Sequence, residues 1–195
     1  MRQPAALSFL GVAGSLRRGS YNRGLIRAAS EVAPPGLSVS AYDLTDIPLY
    51  NADVEAEGDP EPVAAFKRAI AAADALLIAT PEYNHCIPGV LKNAIDWASR
   101  PPRQSALSGK PVAVMGATPA PSGTARAQAQ LRDGLTYTNG LVLPLPEVLV
   151  GLARDKFDEE GNLLGAETRG EVRELLVALA AWTRRLQRTS DEAVA

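Results

Sequence analysis

Apolar runs of strand length alternate with stretches of helical period along this chain, and that alternation constrains the fold more than any other feature. It predicts right-handed βαβ units, and hence a parallel sheet covered by helices on both faces. The predicted strands are Leu7–Ala13, Leu37–Asp43, Ala75–Thr80, Pro111–Ala117 and Leu141–Val150. The predicted helices are Asn22–Val32, Pro62–Ala73, Gly89–Ser99, Thr124–Thr138 and a last one from about 167 to 187.

Five strands and five helices in this order predict an α/β fold, a flavodoxin-like three-layer sandwich. Its five-stranded parallel sheet has the strand order 2-1-3-4-5. Such sheets bind ligands outside the carboxyl ends of the strands, at the switch point beside strands one and three. No linker divides the sequence, so residues 1–195 are expected to form a single domain. The segments Asn51–Glu61 and Arg100–Lys110 are interpreted as a solvated acidic connection and a turn-rich connection.

Charge and composition exclude several classes of partner. The chain has 20 basic and 22 acidic residues and a net charge of −2, which provides no overall field for nucleic acid or an anionic membrane. Its single cysteine and single histidine exclude an internal disulfide and a Cys/His zinc cage. No apolar segment approaches the ~20 residues that span a bilayer. We therefore expect a cytoplasmic protein without a metal site.

The segment Gly14–Asn22, GSLRRGSYN, follows the first predicted strand and opens the first helix. Glycine permits a tight turn, hydroxyl and amide groups offer neutral hydrogen bonds, and the helix N-terminus attracts anions. Arg17 adds a cation for a terminal phosphate. The alternative is that Ser20 or Asn22 only caps the helix and that both arginines are solvated. The loop is neither GxGxxG nor GxxxxGK[ST], which disfavours the usual dinucleotide-binding and Walker-type folds.

A second motif follows the third predicted strand. The segment Thr80–Gly89, TPEYNHCIPG, continues into VLKNAIDW on the next helix. Together with GSLRRGSYN, it resembles the NADPH-dependent FMN reductase family, a flavodoxin-like group that includes bacterial chromate and quinone reductases and relatives of azoreductases. The similarity extends over nearly the whole chain, through Lys110–Val112 at the fourth strand to the final helix.

The resemblance implies a bound FMN, whose phosphate is held by the first loop and whose isoalloxazine edge and ribityl chain contact the third-strand loop. The residues expected at the phosphate are Ser15, Arg17, Ser20 and Asn22, and those expected at the ring and ribityl chain are Pro81, Glu82, Tyr83 and Asn84. A further contact is expected from Thr118, in the loop after strand four. Gly14, Leu16 and Tyr21 complete the predicted cofactor site.

Several neighbouring residues are left outside the predicted site. Those on the following helix are interpreted as surface, cap-locking or core residues, namely Lys92, Asn93, Asp96 and Trp97. The pair His85-Cys86 departs from the family pattern. No catalytic residue is predicted, because the cofactors carry the hydride chemistry. Cys86 is expected to be a buried or half-buried structural residue, and Arg126 either forms a surface salt bridge or reaches a nucleotide phosphate.

The favoured function is an FMN-dependent oxidoreductase with ping-pong kinetics. NADPH or NADH reduces FMN, and a small-molecule acceptor such as a quinone, free flavin, azo compound or chromate then takes the electrons. The resemblance also implies a homodimer or homotetramer, which would explain the exposed-looking stretches Ile47–Tyr50 and Trp97–Pro102. The alternatives are a flavodoxin-type electron carrier without its own NAD(P)H activity, which the charge of −2 disfavours, and a non-flavin nucleotide-binding module.

Overall fold

A computed structural model describes residues 5–194 of the chain, and of residues 190–194 it describes the backbone alone. A parallel sheet lies at the centre, with helices on both faces. The strands of the described chain are β1 (Leu7–Ala13), β2 (Leu37–Tyr42), β3 (Ala75–Ala79), β4 (Pro111–Ala117), β5 (Leu141–Val142) and β6 (Val148–Val150). The helices are α1 (Tyr21–Val32), α2 (Ala52–Glu57), α3 (Glu61–Ala72), α4 (Gly89–Ala98), α5 (Ala125–Tyr137) and α6 (Ala166–Val194).

The strand order is β2-β1-β3-β4-β5, with every pairing parallel. This confirms the predicted flavodoxin-like arrangement. β1 and β3 are neighbours in the sheet, and the connections that follow them lie on opposite faces of it. A crevice therefore forms outside the carboxyl ends of these two strands. Every residue of β3 and of β4 is buried, as the continuous apolar runs in these strands predict.

The fifth predicted strand, Leu141–Val150, is wrong as a single element. Two short strands stand in its place: β5 pairs with the beginning of β4, and β6 pairs with its end. Pro144 and Pro146 lie between them. A proline has no N–H to donate to a neighbouring strand, so the ladder is interrupted there.

The connection Asn51–Glu61 is also more ordered than predicted, because it contains the short helix α2. The Asn51 side chain accepts a hydrogen bond from the Asp53 amide at 2.9 Å and so caps this helix. No residue of α2 is buried. The interpretation as a solvated segment is correct, whereas the absence of regular structure is not.

Two apolar layers hold the helices on the sheet. One lies between the sheet and helices α1 and α6, and Phe9, Leu77 and Met115 belong to it. The other lies between the sheet and helices α3, α4 and α5, and includes Trp97. The Trp97 side chain is fully buried and its Nε1 donates to the Pro48 carbonyl at 2.8 Å, which confirms it as a core residue.

The stretch Ile47–Tyr50, which looks exposed in the sequence, is largely held within the chain. Asn93 donates to the Pro48 carbonyl at 2.8 Å and accepts from the Tyr50 amide at 2.8 Å. The Tyr50 ring meets the Trp97 ring edge-on at 5.1 Å. Pro48 and Leu49 remain exposed, Leu49 to 85%.

Candidate active site

A cleft of about 470 Å³ opens at the carboxyl ends of β1, β3 and β4. Its size falls within the roughly 300–1,000 Å³ of small-molecule sites. Nine residues of the predicted cofactor site line it: Ser15, Arg17, Ser20, Tyr21, Asn22, Pro81, Glu82, Tyr83 and Thr118. Three predicted residues do not: Gly14, Leu16 and Asn84. The sheet topology therefore brings the two sequence motifs to one place.

Ser20 forms the N-cap of α1. Its Oγ accepts from the Arg23 amide at 3.3 Å, and its carbonyl accepts from the Gly24 amide at 2.9 Å. The amides of Tyr21 and Asn22 precede these and have no partner among the described residues. Unpaired amides at a helix N-terminus, together with the positive end of the helix dipole, attract an anion. The Ser20 side chain is a cap, and the helix it opens faces the cleft.

Asn22 joins α1 to β4. Its Nδ2 donates to the Ala117 carbonyl at 2.9 Å, and its Oδ1 accepts from the Ala117 amide at 2.9 Å. The side chain is buried, and its amide satisfies both the N–H and the C=O group of Ala117 at the end of the strand. The side chain of Asn22 is therefore occupied within the protein, and its backbone amide is the group left free at the helix terminus.

Arg17 lies at the wall of the cleft with two contacts inside its own loop. Its guanidinium donates to the Gly19 carbonyl and lies over the Tyr21 ring, 5.0 Å from the ring centroid. A guanidinium has five N–H donors, so one such bond leaves donors for a ligand. Ser15 and Thr118 also line the cleft; both are buried, and neither hydroxyl has a hydrogen-bond partner among the described residues.

The third-strand loop makes a tight two-residue turn. Tyr83 and Cys86 exchange backbone hydrogen bonds of 3.0 and 2.9 Å, and Asn84 and His85 between them have φ angles of +52° and +63°. These are the dihedrals of a type I′ turn, which asparagine adopts readily. The turn places Asn84 at its tip and leaves the Tyr83 ring 52% exposed beside the cleft.

Glu82 caps helix α5 from outside the helix. Its Oε2 accepts from the amides of Arg126 and Ala127 at 3.0 and 3.1 Å, and its Oε1 lies 3.2 Å from His85 Nδ1. The Thr124 side chain at the N-cap position makes no such bond. Burial raises the pKa of the Glu82 carboxyl, but the bonds from Ala127, His85 and Arg126 outweigh it, so the net pKa lies below its ordinary value. The carboxylate thus fastens the third-strand loop to α5.

Replacing Glu82 with glutamine is expected to destabilise the fold by about 1 kcal/mol near pH 7, because the neutral amide is a weaker partner for a helix N-terminus. The folded-state pKa is lowered, so this stabilisation is present above the unfolded-state pKa. It is lost as the pH falls through the folded-state value. Urea unfolding of both proteins from pH 7 to pH 3 measures the difference. The difference in unfolding free energy between the two proteins should shrink as the pH falls. A difference that grows toward low pH would contradict this role.

His85 stands between two oppositely charged groups. Its Nδ1 lies 3.2 Å from Glu82 Oε1 and 3.0 Å from Arg126 Nη1, so it donates to the first or accepts from the second. Arg126 Nη1 is also 4.0 Å from Glu82 Oε1, which places this arginine in a surface ion pair. The expectation for Cys86 is wrong: its thiol is exposed, because the turn projects away from the core.

Sequence reasoning missed Arg154 among the residues of the cleft wall. It lies in a 3₁₀ turn, Ala153–Asp155, after β6. The turn is fixed to the loop after β4, because the Ala153 amide donates to the Thr118 carbonyl at 3.1 Å. No carboxylate among the described residues pairs with Arg154. The cleft therefore has a second cation besides Arg17.

Among the side chains that the structure describes, residues 5–189, no group of three or more His, Cys, Asp or Glu could hold a metal ion. None of the helices in residues 5–194 is both long and apolar enough to cross a membrane.

The profile of the family described as NADPH-dependent FMN reductase matches residues 7–155. The chain belongs to this family. The match spans both loops of the cleft and all six strands, and ends at the 3₁₀ turn that bears Arg154. The resemblance drawn from the two sequence motifs is confirmed.

The chain is also similar to individual reductases. The chain is 50% identical over 181 residues to an NAD(P)H-dependent FMN reductase from Pseudomonas aeruginosa, covering 93% of this chain and 97% of that protein. It is 42% identical over 179 residues to a 2-hydroxy-1,4-benzoquinone reductase from a Burkholderia species, covering 92% and 97%. The solved flavoenzyme NAD(P)H:acceptor oxidoreductase from Paracoccus denitrificans matches it with a TM-score of 0.83 and 33% identity, covering 92% and 98%.

Membership of this family makes the chain an NAD(P)H-dependent oxidoreductase that uses FMN. The cleft fits that cofactor chemically. One end has unpaired helix amides and the Arg17 guanidinium, which suit a phosphate, and the other has Pro81 and a half-exposed Tyr83, which suit a flat aromatic ring.

Proposed function

We propose that this protein is an FMN-dependent NAD(P)H:quinone oxidoreductase with ping-pong kinetics. The observation that carries the proposal is the cleft itself. It combines an anion site at the N-terminus of α1 with an aromatic wall at Tyr83, at the switch point of the sheet. The quinone-reducing relative from Burkholderia supports the class of acceptor.

In this proposal the first loop holds the FMN phosphate. The amides of Tyr21 and Asn22 and the Arg17 guanidinium donate to it. The hydroxyls of Ser15 and Thr118, which lack protein partners in the described structure, are available to the polar part of the cofactor. Pro81, Glu82 and Tyr83 form the wall beside the ring and its ribityl chain, with Asn84 at the tip of the turn.

Bound FMN supplies hydride transfer between NAD(P)H and the acceptor. The protein holds the cofactor and the substrates in position. Glu82 holds the third-strand loop against α5, and Asn22 holds the end of β4 against α1, so both walls of the cleft are fixed before any substrate enters. The exposed face of Tyr83 leaves one side open to small molecules. Donor and acceptor using that side in turn would produce ping-pong kinetics.

Steady-state oxidation of NADPH and NADH by the purified flavoprotein, with a panel of quinones, free flavin, azo dyes and chromate, tests the proposal. We expect quinones to give the highest kcat/KM, and double-reciprocal plots at several quinone concentrations to be parallel. Free FMN at the same concentration is the control. Intersecting lines would contradict the ping-pong order, and a faster rate with azo dye or chromate would contradict the acceptor class.

Two simpler outcomes would support the alternatives. Turnover no faster than that of free FMN would favour a flavodoxin-type carrier. A visible spectrum without flavin bands, even after FMN is added, would leave a non-flavin nucleotide-binding module.

We further propose that the protein works in the cytoplasm as a homodimer or homotetramer. The exposed Leu49 and Tyr137 side chains support association, because large apolar groups at a surface are suited to contact with a second copy. Light scattering after size-exclusion chromatography measures the oligomeric mass, and a monomer at micromolar concentration would contradict the proposal.

A further inference from the structure

The segment 157–163 forms a small closed hairpin next to the first turn of α1. Phe157 and Leu163 pair across it in an antiparallel bridge. Asp158 accepts from the Asn162 amide at 2.6 Å and from Asn162 Nδ2 at 3.0 Å. Its own amide donates to the Asn162 carbonyl at 3.0 Å. The hydrogen bonds from Asn162 hold the pKa of Asp158 below its usual range. Hairpin 157–163 is therefore a self-supporting unit.

The hairpin contacts α1 and the loop Gly14–Asn22, called the phosphate-binding loop below, through backbone atoms. A Cβ at Gly24 would lie 1.9 Å from the Gly161 carbonyl oxygen. A Cβ at Gly19 would lie 2.9 Å from the Glu159 carbonyl oxygen, and one at Gly161, where φ is +79°, would lie 2.9 Å from the Gly19 carbonyl carbon. These distances leave no room for a side chain, so three glycines make the contact possible.

Arg27 fastens α1 to the hairpin with three hydrogen bonds. Its Nε donates to Asn162 Oδ1 at 3.0 Å, and its Nη2 donates to the carbonyls of Gly161 at 2.8 Å and Glu160 at 3.2 Å. Arg27 lies six residues after Tyr21, the first residue of α1, and does not line the cleft. Its guanidinium is therefore bonded to protein groups of the hairpin and does not face the cleft.

The contact continues from the hairpin to the cleft through side chains that pack against one another. The Phe157 and Tyr21 rings have centroids 5.0 Å apart, and the Arg17 guanidinium lies 5.0 Å from the Tyr21 centroid on the cleft wall. Displacement of the hairpin would move Gly19 through the backbone contact and Arg17 through Tyr21. Gly19 and Arg17 both belong to the phosphate-binding loop.

We propose that hairpin 157–163, held by Arg27, fixes the phosphate-binding loop in its binding conformation, and that Arg27 is a positioning residue for the FMN phosphate. A loop ordered before binding loses less entropy when the ligand arrives, so its affinity is higher. This inference rests on the proposed FMN site. It adds a specific requirement: the contribution of Arg27 must depend on the phosphate group of the ligand.

The test uses the full-length protein freed of flavin, with dissociation constants for FMN and for riboflavin measured by flavin fluorescence quenching. In Arg27→Met, the FMN dissociation constant is expected to rise about tenfold, the size typical of a lost positioning contact, and the riboflavin constant to change less than about twofold. Arg68→Met is the matched control. Arg68 forms an exposed pair with Glu61 on α3, and neither constant should change.

Hydrogen exchange gives a readout that needs no flavin. The amides of Ser20, Arg23 and Gly24, which are hydrogen-bonded within the loop and the first turn of α1, should exchange faster in Arg27→Met than in the wild-type protein, while those of β3 should not change. If Arg27→Met does not fold, Asn162→Ala removes the bond from Arg27 Nε and the bond from Asn162 Nδ2 to Asp158, and leaves the two carbonyl bonds of Arg27. It should shift the FMN constant in the same direction by a smaller factor.

Equal weakening of FMN and riboflavin, or unchanged exchange of the Ser20, Arg23 and Gly24 amides, would overturn the positioning role. Failure of the underlying site gives a different result. Wild-type protein that binds neither flavin, or binds both equally well, would contradict the proposed FMN phosphate site itself.

Discussion

Replacing Gly116 with alanine is expected to destabilise the fold by about 3 kcal/mol, at the upper end of overpacking effects. A Cβ at this position would lie 2.1 Å from Thr124 Oγ1 and 2.2 Å from the Thr80 carbonyl oxygen. The threonine hydroxyl could rotate, but the Thr80 oxygen belongs to the backbone between β3 and the third-strand loop. The methyl group must therefore separate β4 from the loop that begins with Pro81, which should also lower FMN affinity.

Urea unfolding monitored by circular dichroism measures the loss of stability. Gly134→Ala is the matched control, because Gly134 lies within α5 and a Cβ there would meet no atom within 4 Å apart from the adjacent helix backbone. It should stabilise the protein by up to about 1 kcal/mol, since alanine has the higher helix propensity. A Gly116→Ala protein as stable as the wild type would show that the end of β4 adjusts more freely than the contacts indicate.

Arg17→Ala is expected to weaken FMN binding by about 1.5–3 kcal/mol, the contribution of a hydrogen bond to a charged group. This corresponds to a roughly ten- to 150-fold higher dissociation constant. The guanidinium lines the cleft beside the unpaired amides of α1, and its stacking on Tyr21 limits the conformations it must give up on binding. Riboflavin, which lacks the phosphate, should be bound about equally by both proteins.

Fluorescence titration of the flavin-free protein measures this difference, with Arg18→Ala as the control. Arg18 is adjacent in sequence and is exposed, but does not line the cleft. A similar loss in both variants would indicate a general effect of positive charge near the site. An unchanged FMN constant in Arg17→Ala would show that this side chain points away from the phosphate.

The strand order and the location of the site could be predicted from the sequence because local patterns determine them. The continuous apolar runs of Ala75–Ala79 and Pro111–Ala117 identify buried parallel strands, and parallel strands end at one edge. Loops that follow such strands must meet there. The break in the fifth strand was also visible, in the prolines at positions 144 and 146.

The roles of individual side chains in the site could not be predicted, because their partners are distant in sequence. Asn22 bonds to Ala117, which is 95 positions away, and Glu82 bonds to the amide of Ala127, 45 positions away. Both residue types also suit a ligand contact, so composition does not distinguish the two uses. Arg154 has no local motif, and only the attachment of its turn to the loop after β4 brings it to the cleft.

The division of the last strand into β5 and β6 determines how this sheet can meet other chains. A long regular edge strand presents a row of free backbone groups on which a further strand can assemble. Here β5 has two residues, β6 has three, and the segment between them contains two prolines. The edge is therefore too short and too irregular for continuous pairing. A second copy of the chain is therefore expected to associate through helices and loops rather than by extending the sheet across this edge.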